Sequence, residues 1–162
     1  MIDWLLILAW VGVTAAIGVP LYLAGITAPL NPLALNVVSA IVVVVPVVIG
    51  LGWVEASRRQ ATLGKHLRHL RVVDSTTGGA VTVGRALSRN ALKIGLPWTI
   101  GHTAVIAIVS ESEDGAVPWP VWVLTAAAYV LPLVYVTSLF VRDGLTAYDR
   151  AARTRVVAAE SD

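Results

Sequence analysis

Basic side chains are concentrated in one short segment, TLGKHLRHLRVVD, which runs from Thr62 to Asp74. Lys65, Arg68 and Arg71 supply three closely spaced cations, and such groups bind phosphates and carboxylates well. One interpretation is therefore an anionic ligand or an acidic partner held by these three residues. A nucleotide-binding loop fits less well, because the G-x-x-x-x-G-K pattern needs a glycine where the chain has Arg59.

The same segment also has a membrane-surface interpretation. Its leucines recur at helical spacing with the basic residues between them, which predicts an interfacial helix over residues 62–70. Each cation near a membrane surface gains about 1 kcal/mol from anionic lipid headgroups. Under this interpretation Lys65, Arg68 and Arg71 contact lipid rather than a soluble ligand.

Single ionisable residues elsewhere are further candidates. His102 lies in a stretch without charge, where Thr99 and Thr103 can satisfy it or where it can carry a proton near neutral pH. Asp3 can cap a helix N-terminus, where the helix dipole favours a carboxylate. Asp149, next to Arg150, is expected to tie the C-terminal tail to Lys65 or Arg71.

The charge distribution defines the elements that position these residues. Of 162 residues, 57% are hydrophobic and only 14% charged, which is typical of a membrane protein. Uncharged stretches cover 4–54, 94–110 and 115–141, and the first is divided by the turn-forming GITAPLNP. The sequence therefore predicts an all-α, four-helix transmembrane bundle, with helices near 4–24, 33–54, 94–111 and 118–141.

A cleavable signal peptide is the competing interpretation of the N-terminal segment. It is disfavoured because no basic region precedes the apolar run, which is also longer than a signal peptide needs. Cysteine is absent, so disulfides, thiolate catalysis and cysteine-based metal sites are excluded.

All twelve Lys and Arg residues lie in two blocks, one within the loop 55–93 and one within the tail 142–162. The positive-inside rule places both blocks in the cytoplasm, so both termini are expected there. The loop between the third and fourth helices holds three acids and no base, which agrees with the opposite side.

The cytoplasmic loop and tail are predicted to form a small cap. Val-rich runs on either side of a Thr-Gly-Gly turn predict a β-hairpin with strands near 70–74 and 80–83. The run ARTRVV, residues 152–157, predicts a third strand that pairs with LRVV. Arg85, Arg89 and Lys93 follow at helical spacing and form a cationic stripe leading into the third helix.

Several ordered motifs in the loop and tail resemble the RDD family of bacterial membrane proteins. They are T-x-G-K-x-x-x-x-L-R-V-V-D, then G-G at 78–79, then R-A-x-x-R-N at 85–90, and Y-D-R-x-A-x-T-R-V-V at 148–157. The positions that carry the resemblance are Asp3, Thr62, Gly64, Lys65, Arg71, Asp74, Arg85, Arg89, Asn90, Asp149, Arg150 and Thr154.

The resemblance implies a multi-pass protein of the bacterial inner membrane. Transport is suspected for the family, and cation/proton exchange is proposed for some of its members. Asp3 corresponds to the aspartate of the first helix, but no arginine precedes it as the family pattern expects. A counter-cation for Asp3 would then be a loop residue such as Arg85 or Arg89.

Two functions follow as hypotheses. The first is a small oligomeric transporter or cation/proton exchanger; the second is a non-catalytic accessory subunit or assembly factor of a larger membrane complex. No catalytic constellation and no metal-ligand spacing is present, so the sequence predicts no enzyme, no cofactor and no metal. The expected partners are anionic lipids and further copies or other membrane proteins, not nucleic acid.

Overall fold

The computed structural model describes residues 2–111, 117–141 and 144–159. Within these ranges four helices are long and apolar enough to cross a membrane. The elements in chain order are α1 (Ile2–Leu23), α2 (Pro32–Ala56), α3 (Leu63–His66), β1 (Leu70–Asp74), α4 (Val83–Ser110), α5 (Trp119–Ser138), α6 (Ala147–Ala152) and β2 (Thr154–Ala158).

The break between the first two membrane helices is where turn chemistry predicts it. Gly25 adopts a positive φ of 73°, which favours glycine, and a series of turns follows it. Asn31 then caps α2 by accepting a hydrogen bond from the backbone N–H of Ala34 at 2.8 Å, and Pro32 occupies the first helical turn.

The helix that contains the predicted third span, 94–111, begins at Val83, so it also includes the helical segment 85–93 that the sequence predicts to lead into it. Thr82 caps it by accepting a hydrogen bond from the backbone N–H of Arg85. Two of its cations pair with carboxylates, Arg85 with Asp74 and Arg89 with both Glu55 and Asp149. Arg89 of the predicted cationic stripe is buried in these pairs.

Two of the membrane helices contain a π-helical turn, Ala40–Val44 in α2 and Ala91–Gly95 in α4. The two turns lie against each other, since a Cβ built on Gly95 would be 3.7 Å from Val44 Cγ1. Such turns interrupt the regular hydrogen-bond ladder and are frequent at functional sites.

The membrane helices pack in sequence, α1 on α2, α2 on α4 and α4 on α5. The closest crossing is between α2 and α4, where Gly52 faces Leu87. A Cβ on Gly52 would lie 2.7 Å from the Leu87 side chain and 3.2 Å from its backbone. Helix α1 contributes no residue that the rest of the chain buries.

The tail strand pairs with the loop, as the sequence predicts. β1 and β2 are antiparallel, with Leu70 opposite Ala158 and Asp74 opposite Thr154. The strand predicted over 80–83 is wrong, because Ala80 makes one isolated bridge to Val73 and the helix α4 starts at Val83. The described sheet therefore has two strands.

The interfacial helix predicted over 62–70 is only one turn long, Leu63–His66. The chain turns after Leu67, and His69 takes a left-handed conformation with φ of 52° immediately before β1. Pairing of β1 with the tail requires an extended backbone from Leu70, so the helix cannot continue. Val72 of β1, Val81 and Ala86 form a small buried core.

Some predicted features lie outside the described residues. They are residues 112–116 of the acidic loop, the pair Arg142 and Asp143, and residues 160–162 of the tail.

Candidate functional site

Glu55 is the centre of a buried group of charges at the end of α2. It is fully buried, and its Oε1 accepts hydrogen bonds from Lys65 Nζ at 2.6 Å and from Arg89 Nη1 at 2.8 Å. Its Oε2 accepts from Asn90 Nδ2 at 2.8 Å. Burying a carboxylate costs much free energy unless it is paired in this way. These contacts therefore offset the cost of burying Glu55 where α2 meets α4 and the loop.

Arg89 connects this carboxylate to the tail. Its Nη1 contacts Glu55, and its Nε donates to Asp149 Oδ1 at 2.6 Å. The guanidinium also lies over the ring of Tyr148, 5.6 Å from the ring centre. Burial raises the pKa of the Tyr148 hydroxyl, which keeps the ring neutral beside the two acids.

Asp149 is positioned by the threonines on either side of it. Thr146 caps the short helix α6 and donates its hydroxyl to Asp149 Oδ2 at 2.6 Å, and Thr154 of β2 donates to Oδ1 at 2.9 Å. The sequence predicted that Asp149 holds the tail through Lys65 or Arg71. The tail is held, but the cation is Arg89, because α4 begins early enough to bring Arg89 under α6.

Asp3 is held by the segment Thr62–Lys65, here named the TxGK cap. Thr62 donates its hydroxyl to Asp3 Oδ2 at 2.6 Å, and the backbone N–H of Gly64 donates to Oδ1 at 2.8 Å. A Cβ on Gly64 would lie 2.9 Å from the carboxyl carbon of Asp3, so a larger residue here would displace the carboxylate from the Gly64 N–H. The expected counter-cations Arg85 and Arg89 are therefore wrong for Asp3.

Lys65 completes a continuous series of contacts. Its ammonium group donates to Glu55 and also to Thr62 Oγ1, the latter at 3.3 Å. Asp3, Glu55, Lys65, Arg89 and Asp149 thus form one group, here named the charge cluster. It joins α1, α2, the TxGK cap, α4 and the tail. Removing one member of a buried pair typically costs 3–5 kcal/mol, because the partner is left buried and unpaired.

Arg85 and Asp74 form a separate ion pair at the edge of the sheet. Asp74 Oδ1 also accepts from the backbone N–H groups of Thr76 and Thr77, at 2.8 and 3.3 Å, which shapes the turn after β1. These two motif positions therefore stabilise the turn and its contact with α4.

The three cations predicted to bind an anion do not lie together on one surface. Lys65 is directed inward to Glu55, while Arg68 is exposed. Arg71 lies on β1, where its Nε is buried and has no hydrogen-bond partner among the described residues. Arg150 is exposed and donates to the carbonyl oxygen of Val141 at 2.7 Å.

A second polar group lies between α2 and α4, nearer the start of α2 than its end. His102 Nδ1 is 3.3 Å from Asn36 Oδ1, and Asn36 Nδ2 donates to Thr103 Oγ1 at 2.5 Å. The ring of Trp98 stacks on His102 with 4.3 Å between ring centres. The predicted threonine partners of His102 are wrong in detail, since Thr99 and Thr103 bond to backbone carbonyls and Asn36 binds the imidazole.

His102 also lines a cavity of about 680 Å³ between α1, α2 and α4. Trp10 and Tyr22 of α1 and Trp98 of α4 contribute its aromatic wall. Its volume is in the range of small-molecule pockets.

Sequence reasoning missed Glu55 and Asn36 as functional residues. Glu55 is the first charge after fifty-one uncharged residues, and a lone acid at such a position needs a cation nearby. Asn36 is a strongly polar side chain inside an apolar run, which is a recognisable signal in a membrane helix. Nothing in the sequence indicated which residues Glu55 and Asn36 contact.

Comparison with known proteins gives one result. A family model described as RDD family matches residues 1–114, which include α1, α2, the TxGK cap, the loop and α4. The search of curated proteins and the search of solved structures each found no match.

Proposed function

The chain belongs to the RDD family, and on that premise we propose that it is a bacterial inner-membrane exchanger of cations and protons. The observation that carries this proposal is the pairing of Glu55, a buried carboxylate at a membrane-helix end, with Lys65 of the TxGK cap. An ammonium group on a short loop segment can be replaced by another cation more readily than one on a membrane helix.

The TxGK cap engages two carboxylates at once. Thr62 and Gly64 bind Asp3 of α1, and Lys65 binds Glu55 of α2. A single outward movement of the cap therefore frees Asp3 and removes the Lys65 ammonium from Glu55, which keeps its bonds to Arg89 and Asn90. Carboxylate oxygens are suitable ligands for hard cations and also accept protons, so Asp3 and the position that Lys65 leaves beside Glu55 can hold one or the other.

Arg89 has a different role in this proposal. It remains between Glu55 and Asp149 and keeps α4 attached to the tail while the cap moves. Arginine stays charged under all physiological conditions, which makes it a permanent counter-ion rather than a proton carrier.

His102 is the proposed proton carrier deeper in the bundle. It lies between the helices that line the 680 Å³ cavity, and its Nδ1 is oriented by Asn36.

Four helices enclose little aqueous volume, so the working form is proposed to be a homo-oligomer. The proposal places the loop and tail in the cytoplasm, because these two segments contain all twelve Lys and Arg residues.

The test uses the purified full chain in liposomes that contain a pH-sensitive dye. A sodium or potassium pulse outside should make the lumen alkaline, and Glu55→Gln should slow this at least ten-fold. Lys65→Gln should keep exchange but lower the half-saturating cation concentration, since the competing ammonium is gone. It is also the variant better able to fold, because Arg89 still neutralises Glu55.

Arg68→Gln is the matched control, since Arg68 lies in the same loop but is exposed. It should behave as the wild type. The exchange proposal would be contradicted if the lumen of liposomes with the wild-type protein became alkaline no faster than that of protein-free liposomes. His102→Ala should abolish proton movement if the imidazole carries the proton, and unchanged exchange would reduce His102 to a packing residue.

An accessory subunit is the second candidate function. It is favoured by helix α1, none of whose residues is buried by the rest of the chain. An apolar helix with a free face can pack on a partner helix in a larger complex. Extraction in mild detergent at native expression level, followed by mass analysis, separates the two: a discrete heteromeric complex supports the accessory role, and a lone homo-oligomer supports exchange.

Catalysis is not part of either proposal. The acids of the charge cluster are engaged by cations, hydroxyl groups and a backbone N–H of the chain itself.

A further inference from the structure

A groove of about 370 Å³ runs between α1 and α2 at the end of the bundle that carries the loop. Its walls are apolar side chains of both membrane helices, including Leu6 and Ile7 of α1 and Val47 and Leu51 of α2. Because both walls belong to membrane-spanning helices, the groove lies at the depth of lipid acyl chains.

The polar end of the groove is formed by the loop. Arg59 and His66 line it, and both are exposed. Among the described residues neither side chain has an ion pair or a hydrogen-bond partner. Asp3 also lies at this end, but its two oxygens are already bound by Thr62 and Gly64. The groups that remain free to bind a ligand are therefore a guanidinium and an imidazole.

Two exposed tryptophans indicate where the membrane surface lies. Trp4, at the start of α1, is 56% exposed, and Trp53, near the end of α2, is 67% exposed. Tryptophan in membrane proteins is enriched at the level of the lipid headgroups. Their chain neighbours Asp3 and Val54 line the groove, which places the end that carries Arg59 and His66 at headgroup level.

We infer that this groove is a specific site for an anionic phospholipid. One acyl chain fills the apolar part between α1 and α2, and the phosphate lies between Arg59 and His66. Arginine binds phosphate oxygens through two parallel N–H groups, and a histidine ring N–H donates a further hydrogen bond. This site is independent of the exchange proposal and does not use the cations Lys65, Arg68 and Arg71 that the sequence suggested.

The apolar part of the groove indicates that the ligand is a phospholipid and not a free phosphate ion. A soluble phosphate ion would need only the two basic side chains, whereas the lipid also needs the space between the helices. Gly50 opens that space: it lines the groove, and a Cβ built on it meets nothing within 4 Å. A larger side chain here fills the groove without disturbing the helix packing.

The experiment is native mass spectrometry of the purified full chain. The protein is delipidated and then offered equal amounts of phosphatidylglycerol and phosphatidylethanolamine. The wild type should retain at least five-fold more phosphatidylglycerol. The double variant Arg59→Gln/His66→Gln should lose this preference while still binding lipid, and Gly50→Leu should lower retention of both lipids.

Two controls match these variants. Arg68→Gln removes an exposed loop cation outside the groove, and Gly12→Leu adds a side chain on α1 at a position that is also open but does not line the groove. Both should retain lipid as the wild type does. The inference is overturned if the wild type shows no preference, if Arg68→Gln loses it equally, if Gly50→Leu has no effect, or if inorganic phosphate displaces the lipid.

Discussion

Arg89 shows at the scale of single residues how this chain keeps a charge inside a membrane helix. Its guanidinium is 2% exposed, yet two carboxylates and an aromatic ring surround it. Glu55 comes from α2 and Asp149 from the tail, so one side chain fixes three parts of the chain. An arginine suits this position, because its planar group donates in two directions at once.

The link between Arg89 and the tail can be tested at Asp149. Asp149→Asn keeps the size of the side chain but removes the charge that Arg89 Nε contacts at 2.6 Å. Hydrogen bonds to charged groups contribute about 2 kcal/mol, so the unfolding free energy in detergent should fall by about that amount. Thermal unfolding followed by circular dichroism measures the change.

Arg150→Gln is the control for this variant, as the neighbouring residue is exposed and reaches only a backbone carbonyl. Its melting temperature should stay close to that of the wild type. A stable Asp149→Asn protein without exchange activity would instead assign Asp149 a chemical role.

At the scale of elements, the crossing of α2 and α4 determines where the charge cluster forms. Gly52 allows α4 to approach within contact distance of the α2 backbone, three residues before Glu55. The π-helical turns in both helices lie further along the same interface. Each turn shifts the side chains that follow it, so the polar pair Asn36 and His102 and the cluster at Glu55 can both face the partner helix.

Two glycines of α2 test this packing. Gly52→Ala places a methyl group 2.7 Å from the Leu87 side chain, and overpacking of this kind costs about 1–3 kcal/mol. Gly50→Ala, two residues away, meets open space and should be neutral or slightly stabilising, since alanine is the better helix former. Thermal unfolding of both variants in the same detergent compares them, and equal melting temperatures would show that the crossing is looser than described.

At the scale of the whole molecule, the four membrane helices and the charge distribution predict one orientation. An even number of spans puts both termini on the same side, and the basic loop and tail predict that this side is the cytoplasm. The pairing of β1 with β2 agrees with loop and tail on a common side, because the two segments form one sheet.

The orientation can be measured by cysteine labelling, because the chain has no cysteine of its own. Ser112→Cys should react with a membrane-impermeant thiol reagent in intact cells, and Ser75→Cys should react only after the cells are opened. The reverse pattern would invert the orientation and with it the direction of the proposed exchange.

The sequence by itself determined the membrane class, the four spans, the turn at GITAPLNP, the pairing of the tail with LRVV and the family. These features follow from local composition and from motifs within short segments, because a span requires about 20 apolar residues wherever it occurs. Even so, the burial of Arg89 was not predicted, since the carboxylates that neutralise it are distant along the chain.

Only the tertiary structure decided which charges meet. Glu55, Arg89 and Asp149 are separated by 34 and 60 residues along the chain, and nothing local links them. The same holds for Asp3 with Thr62, for Asn36 with His102, and for the groove between α1 and α2. A side chain's type limits the partners it accepts, but its neighbours are fixed by how the helices cross, which depends on packing along their whole length.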